Sequence, residues 1–105
     1  MWLFLSDGFL SIVAHRSRPN HLLVRSRKRD HLTSIFPEAD YFYLEYSDYP
    51  HRAVIERELV AKIISERLND IDYDNFKNSI DEQKYANSCN KIWELMFDFG
   101  IKFRG

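Results

Sequence analysis

HLLVRSRKRDHLTSIFPEADYFYLEYSDYPHRAVIERELVAKIISERLNDI, residues 21–71, is the stretch that decides the fold. Its first piece, His21–Arg27, is short, apolar at its start and bounded by turn residues, which reads as a strand. Arg29–Phe36 reads as a short helix with Leu32 and Ile35 spaced to face a core. Pro37 ends it, because the residue before a proline is pushed out of the helical region. Tyr41–Tyr46 (YFYLEY) is rich in aromatic side chains that suit a pleated surface and predicts a strand. Ser47-Asp48-Tyr49-Pro50 is a turn, and Arg52–Ile55 (RAVI) is the next strand. In Glu56–Ile71 the residues Leu59, Val60, Ile63, Ile64, Leu68 and Ile71 recur every three or four positions, the spacing of one helix face. Strand, helix, strand, strand, helix is most of a ferredoxin-like split βαβ unit.

The flanks add to this unit. Trp2–Leu5 and Phe9–Ala14 lie on either side of Ser6-Asp7-Gly8, and Asp-Gly, tolerant of positive φ, predicts a hairpin turn between two strands. Arg18-Pro19-Asn20 then turns the chain into residue 21. Beyond Ile71, Asp72–Ile80 predicts a link with one helical turn of its own. A last helix is expected from Asp81 to about Phe99, with Asp81 as cap and Gly100 as stop, since Tyr85, Cys89, Ile92, Met96 and Phe99 step by four and three. Ile101–Arg104 is expected to be a short tail or an added edge strand. The expected fold is therefore α+β: an antiparallel sheet of about five strands with helices on one face, in the order β-β-β-α-β-β-α-α. It is a ferredoxin-like core with an added N-terminal hairpin and C-terminal helix. A chain of 105 residues without repeat or linker is expected to form a single domain, 1–105.

The net charge is −1, so no global pull toward nucleic acid or anionic lipid is expected. The distribution is uneven. Residues 1–37 carry six bases against two acids, a net +4, and residues 38–105 carry nine bases against fourteen acids, a net −5. Cys89 is the one cysteine, which excludes an internal disulfide and fits a reducing, cytoplasmic setting. The apolar N-terminus lacks the basic residues of a signal peptide and is split by Asp7-Gly8. Nothing approaches the roughly 18 apolar residues of a membrane span, so no membrane partner is expected.

Motifs that would name a chemistry are missing. There is no Gly-rich phosphate loop, no G-x-S-x-G and no cysteine beside a histidine. No two of His15, His21, His31 and His51 share i, i+4 helical spacing, so no metal site is expected. Asp70, Asp72 and Asp74 start like a calcium loop, but Asn75 stands where its glycine is required. No cofactor is expected and no catalytic residue is nominated. A site scattered in sequence, for instance His51, Tyr49 and Asp72, is the form an enzyme would have to take, and the reading leans against one.

GFLSIVAHR, HLLVRSR, the Tyr-Pro-His-Arg-Ala-Val run and IDYDNFKNSI occur here in that order. With the Met-Trp start, the Gly-Phe-x-Ser hairpin and the Ile-Asp-Tyr-x-Asn-Phe-Lys segment, the chain resembles a family of small uncharacterised bacterial and phage proteins, from Trp2 to about Trp93. That resemblance implies one compact unit and no assigned activity.

The candidate site comes from strand alternation. Leu23, Arg25 and Arg27 share one side of their strand, Arg52 and Val54 one side of theirs, and Tyr41 and Tyr43 one side of theirs. If helices cover one face of the sheet, Arg25, Arg27, Tyr43, Tyr49 and Arg52 are the expected partner-binding residues on or near the open face. Arg16, Arg18, Lys28 and Arg29 form a secondary basic patch. The expected function is a non-enzymatic binding protein that occupies a surface of a larger protein partner, as an inhibitor or an immunity or anti-defence factor would. The alternative is RNA or single-stranded DNA, stacked on tyrosine and held by arginine on phosphate. The four-three stripe of the last helix also suits a homodimer.

Overall fold

The computed structural model describes residues 1–104. The chain divides into two compact units, Met1–Asp72 and a second that begins at Tyr73. The first holds five strands and two helices: β1 (Trp2–Leu5), β2 (Gly8–Ala14), β3 (His21–Ser26), α1 (Arg29–Thr33), β4 (Tyr41–Tyr43), β5 (His51–Glu56) and α2 (Arg57–Asn69). All neighbouring strands are antiparallel, in the order β1-β2-β3-β5-β4. This is the expected α+β architecture. β3, α1, β4, β5 and α2 form the split unit, with β5 inserted between β3 and β4. β2 pairs along the other side of β3, where a ferredoxin-like fold places its last strand, and β1 extends that edge.

Register assigns each side chain to a face. Leu22 pairs with Ile55, Val24 with Ala53 and Ile12 with Val24, so these residues line one side. Leu10, Ile12, Val24, Ala53 and Ile55 are buried there with Leu32, Ile35 and Phe36 from in and after α1 and with Val60 of α2. Burying side chains of this size contributes on the order of 1.5–3 kcal/mol each. The core therefore lies under α1 and α2 on one face, and the opposite face carries Arg25 and Arg52.

Several boundaries differ from the sequence expectation. β4 stops at Tyr43 rather than Tyr46. Tyr43 pairs with His51, and the next partner is Pro50, which accepts from the Leu44 N–H but has no N–H to return. Gly8 has no positive φ; it is the first residue of β2, where a Cβ would stand 2.8 Å from the Cα of His31. Its lack of a side chain lets α1 approach the hairpin, and the His31 ring accepts the Phe9 N–H through Nδ1 at 3.1 Å. The one described residue with positive φ is Asn20, in the turn before β3. Leu59, Leu68 and Ile71, assigned to the buried stripe of α2, are exposed.

The second unit holds a 3-10 turn at Lys77–Ser79, as expected, and α3 (Gln83–Ile101). The cap of α3 is Glu82, whose carboxylate accepts the Tyr85 N–H, and not Asp81. The helix also runs through Gly100 and takes in Ile101, so that glycine is no stop and the tail is no edge strand. Tyr85 and Cys89 are buried, and burial pushes the Cys89 thiol up, away from a reactive thiolate.

Candidate functional site

The face of the sheet away from α1 and α2 is built by the odd residues of β2 and β3 and the even residues of β1, β4 and β5. Arg25 of β3 stands directly opposite Arg52 of β5. Two like charges at such a cross-strand position disfavour the sheet unless something offsets them. Among the described residues no carboxylate lies within ion-pair distance of Arg25, Arg27 or Arg52.

What holds these groups is uncharged. An Arg25 Nη donates to the hydroxyl of Ser11 at 2.7 Å, and Ser11 sits beside it on β2. Arg52 donates from Nε to the Tyr49 carbonyl at 2.9 Å and from Nη to the Ser47 hydroxyl. Arg27 donates from Nε to the Asp48 carbonyl at 3.3 Å. The turn 47–50 thus folds back onto the sheet and carries Tyr49 with it. The Tyr49 ring is 4% exposed, with the guanidinium carbons of Arg25 and Arg27 at 4.7 and 4.5 Å from its centroid. Cation–π contacts of this kind hold a guanidinium without neutralising it. Arg27 remains exposed, while Arg25 and Arg52 are half-buried.

Aromatic rings continue from this point. Tyr49 lies 6.3 Å from Phe9, which stacks on Phe4 at 4.5 Å and meets Trp2 edge-on at 5.9 Å. Phe42 is the cross-strand partner of Arg52. Trp2 is 67% exposed and Phe42 42%, so rings at both edges of the face are open to solvent.

Four of the five expected partner residues come together here: Arg25, Arg27, Tyr49 and Arg52. Tyr43 does not. The β4–β5 register sets Tyr43 against His51 and Phe42 against Arg52, so Tyr43 lies on the helix-bearing side, its ring 5.2 Å from the His51 ring. The secondary basic patch is also divided. Arg16 lines a cavity of about 440 Å³ with Arg25, Arg52, His15, Val13 and Leu23. Arg29 lines a different one with Tyr43 and His51. Arg18 contacts the His21 ring at 3.3 Å, and Lys28 pairs with Asp30 at 3.5 Å.

His51 and Tyr49 stand on opposite faces of the sheet, and Asp72 lies beyond the end of α2. They form no joint site for general acid–base chemistry, which needs groups within hydrogen-bond reach of one another. Among the described residues no group of three or more His, Cys, Asp or Glu is placed to hold a metal. No helix is long and apolar enough to cross a membrane.

Sequence reasoning missed Ser11, Ser47 and the ring row Trp2, Phe4 and Phe9. Alternation does put Trp2 and Phe4 on one side of β1, and Phe9 and Ser11 on one side of β2. What it lacks is the pairing that brings those sides together with Arg25. Compared with protein-family models, with curated proteins and with solved structures, the chain matches none.

Proposed function

We propose that this protein is a non-enzymatic binding protein whose arginine and aromatic sheet face occupies an anionic surface of a larger protein, in the cytoplasm. A small inhibitor or immunity-type factor of bacterial or phage origin, in keeping with the family resemblance, would work in this way. One observation carries the reading: three guanidiniums are held in place by hydroxyls, carbonyls and the Tyr49 ring and have no carboxylate partner among the described residues. Such groups lose little freedom on binding, and they favour an acidic partner both in approach and in contact. A protein partner is preferred to nucleic acid because the whole chain is slightly acidic, while dedicated nucleic-acid binders carry a basic surplus.

The test is binding of poly-glutamate and of a single-stranded oligonucleotide to the full chain over a salt series. The acidic polypeptide is expected to bind, weaken with salt, and lose about tenfold in affinity in Arg25→Gln or Arg52→Gln, the order of one charged hydrogen bond. An oligonucleotide that binds more tightly, with a slope of about one per phosphate contacted, transfers the face to nucleic acid. No affinity for either probe ends the reading.

A second copy of the chain is the other partner that we propose, along α3. Its four-three stripe is buried at Tyr85 and Cys89 and then exposed at Ile92, Met96 and Phe99, with Leu95 63% exposed beside it. A repeating stripe of this kind is complementary to itself, and contiguous exposed apolar surface marks an association site.

A further inference from the structure

We propose that the cavity between β2, β3 and β5, bounded by His15, Arg16, Arg25 and Arg52, binds a phosphate monoester, which is the anchor point of the anionic partner surface; this rests on the reading above. The first support is electrostatic. Arg25 and Arg52 are forced side by side by the register of β3 and β5, and Arg16 lines the same cavity. Three arginines line one cavity without a carboxylate among the described residues within ion-pair reach. A dianion offsets two of these charges, and a carboxylate only one. Guanidinium forks match phosphate oxygens in geometry as well as in charge.

The second support is the hydrogen-bond ledger. Ser11 takes one Nη of Arg25, and the Arg25 Nε is buried with no partner of its own. Arg52 spends Nε and one Nη on Tyr49 and Ser47, which leaves its other Nη to donate. His15 lines the same cavity. Its Nδ1 accepts the backbone N–H of Ser17 at 3.2 Å and of Arg18 at 3.1 Å, which leaves Nε2 as the ring nitrogen that can donate. His15, Arg16, Arg25 and Arg52 thus border one space, and none of the residues lining it is a carboxylate.

The third support is size. A cavity of about 440 Å³ exceeds a bare phosphate and has Val13 and Leu23 in its wall, so it accommodates the carbon chain that carries the phosphoryl group. Phosphoserine on a partner protein and a free phosphorylated metabolite present the same group.

The experiment is a calorimetric titration of the full chain with inorganic phosphate, O-phosphoserine, serine, and one peptide in phosphoserine and serine forms, against sodium chloride of equal ionic strength. O-phosphoserine is expected to saturate at one site, with serine silent. Affinity is expected to fall about tenfold in Arg25→Gln and several-fold in Arg16→Ala. Arg16 is exposed and makes no hydrogen bond or ion pair with a described residue, so its variant is expected to melt with the parent and to report the site rather than folding. A phosphopeptide that binds more tightly than O-phosphoserine identifies a modified protein side chain as the source. Equal affinities identify a free phosphate ester. A response reproduced by sodium chloride, or one untouched in both variants, overturns the proposal. If poly-glutamate still binds in that case, the pocket alone is lost; if it too fails, the reading of the whole face falls with it.

Discussion

Gly8 shows how much one missing Cβ controls. The hairpin passes so close to α1 that an added carbon would meet the Cα, Cβ and Cγ of His31 at 2.8 Å. Two of those atoms belong to the main chain or are joined directly to it, so the obstruction cannot swing aside. Gly8→Ala is expected to cost about 1–3 kcal/mol, as overpacking does, read as a lower urea midpoint at unchanged slope. An unchanged midpoint would show that α1 can move away freely. Tyr49 shows the reverse case, a side chain whose position matters because it is filled. Its buried ring is the support for two guanidiniums, and its carbonyl holds a third.

Between elements, one ion pair joins the β1–β2 turn to α2. Arg67 donates to the Asp7 carboxylate, with 31% and 39% of the two side chains exposed. Burial alone would push the Asp7 carboxyl up, but the hydrogen bond and charge of Arg67, joined by hydrogen bonds from the backbone and from Ser34, outweigh it and leave the group below its ordinary value near 3.8. A carboxyl whose folded value is depressed stabilises the fold above the unfolded value, and that contribution disappears as pH falls through the folded one. Asp7→Asn is therefore expected to cost less than about 1 kcal/mol at pH 7, since solvent screens the pair. The gap between parent and variant in thermal melts should close as the pH drops below 3.8. A gap that persists at pH 2 would assign the effect to packing rather than charge. Pro50 acts at the same scale. By removing one ladder donor it ends β4 and frees the 44–50 loop to return over the arginine face.

At the scale of the whole molecule, charge and apolar surface occupy separate units. The unit Met1–Asp72 carries the arginine face, and the unit beginning at Tyr73 carries the exposed part of α3. If α3 pairs with a second copy, sedimentation equilibrium should show a concentration-dependent dimer. Met96→Glu, at a 58% exposed position, should raise its dissociation constant at least about tenfold and leave the helical signal unchanged. A parent chain that stays monomeric at high micromolar concentration would remove the second copy as a partner. The two surfaces are separable, because Arg25→Gln should leave this equilibrium unchanged.

The amino-acid order by itself determined the elements, their sequence and the α+β class, because apolar periods of two and of three to four are written locally into each segment. It also determined that Arg25 emerges on the side of β3 that carries Leu23, and Arg52 on the side of β5 away from Ala53, since alternation is a property of a single strand. Only the tertiary structure decided what those sides meet. Tyr41–Tyr43 has the same alternation in either pairing, and a shift of one residue would have put Tyr43 rather than Phe42 beside Arg52. Tyr49, Ser47 and His15 lie outside the regular elements, where no period exists to read, and long-range contacts alone carried them to the arginines. Charge convergence at the Arg25–Arg52 pair is likewise a product of strand pairing, since the two residues are far apart along the chain and adjacent only across the sheet.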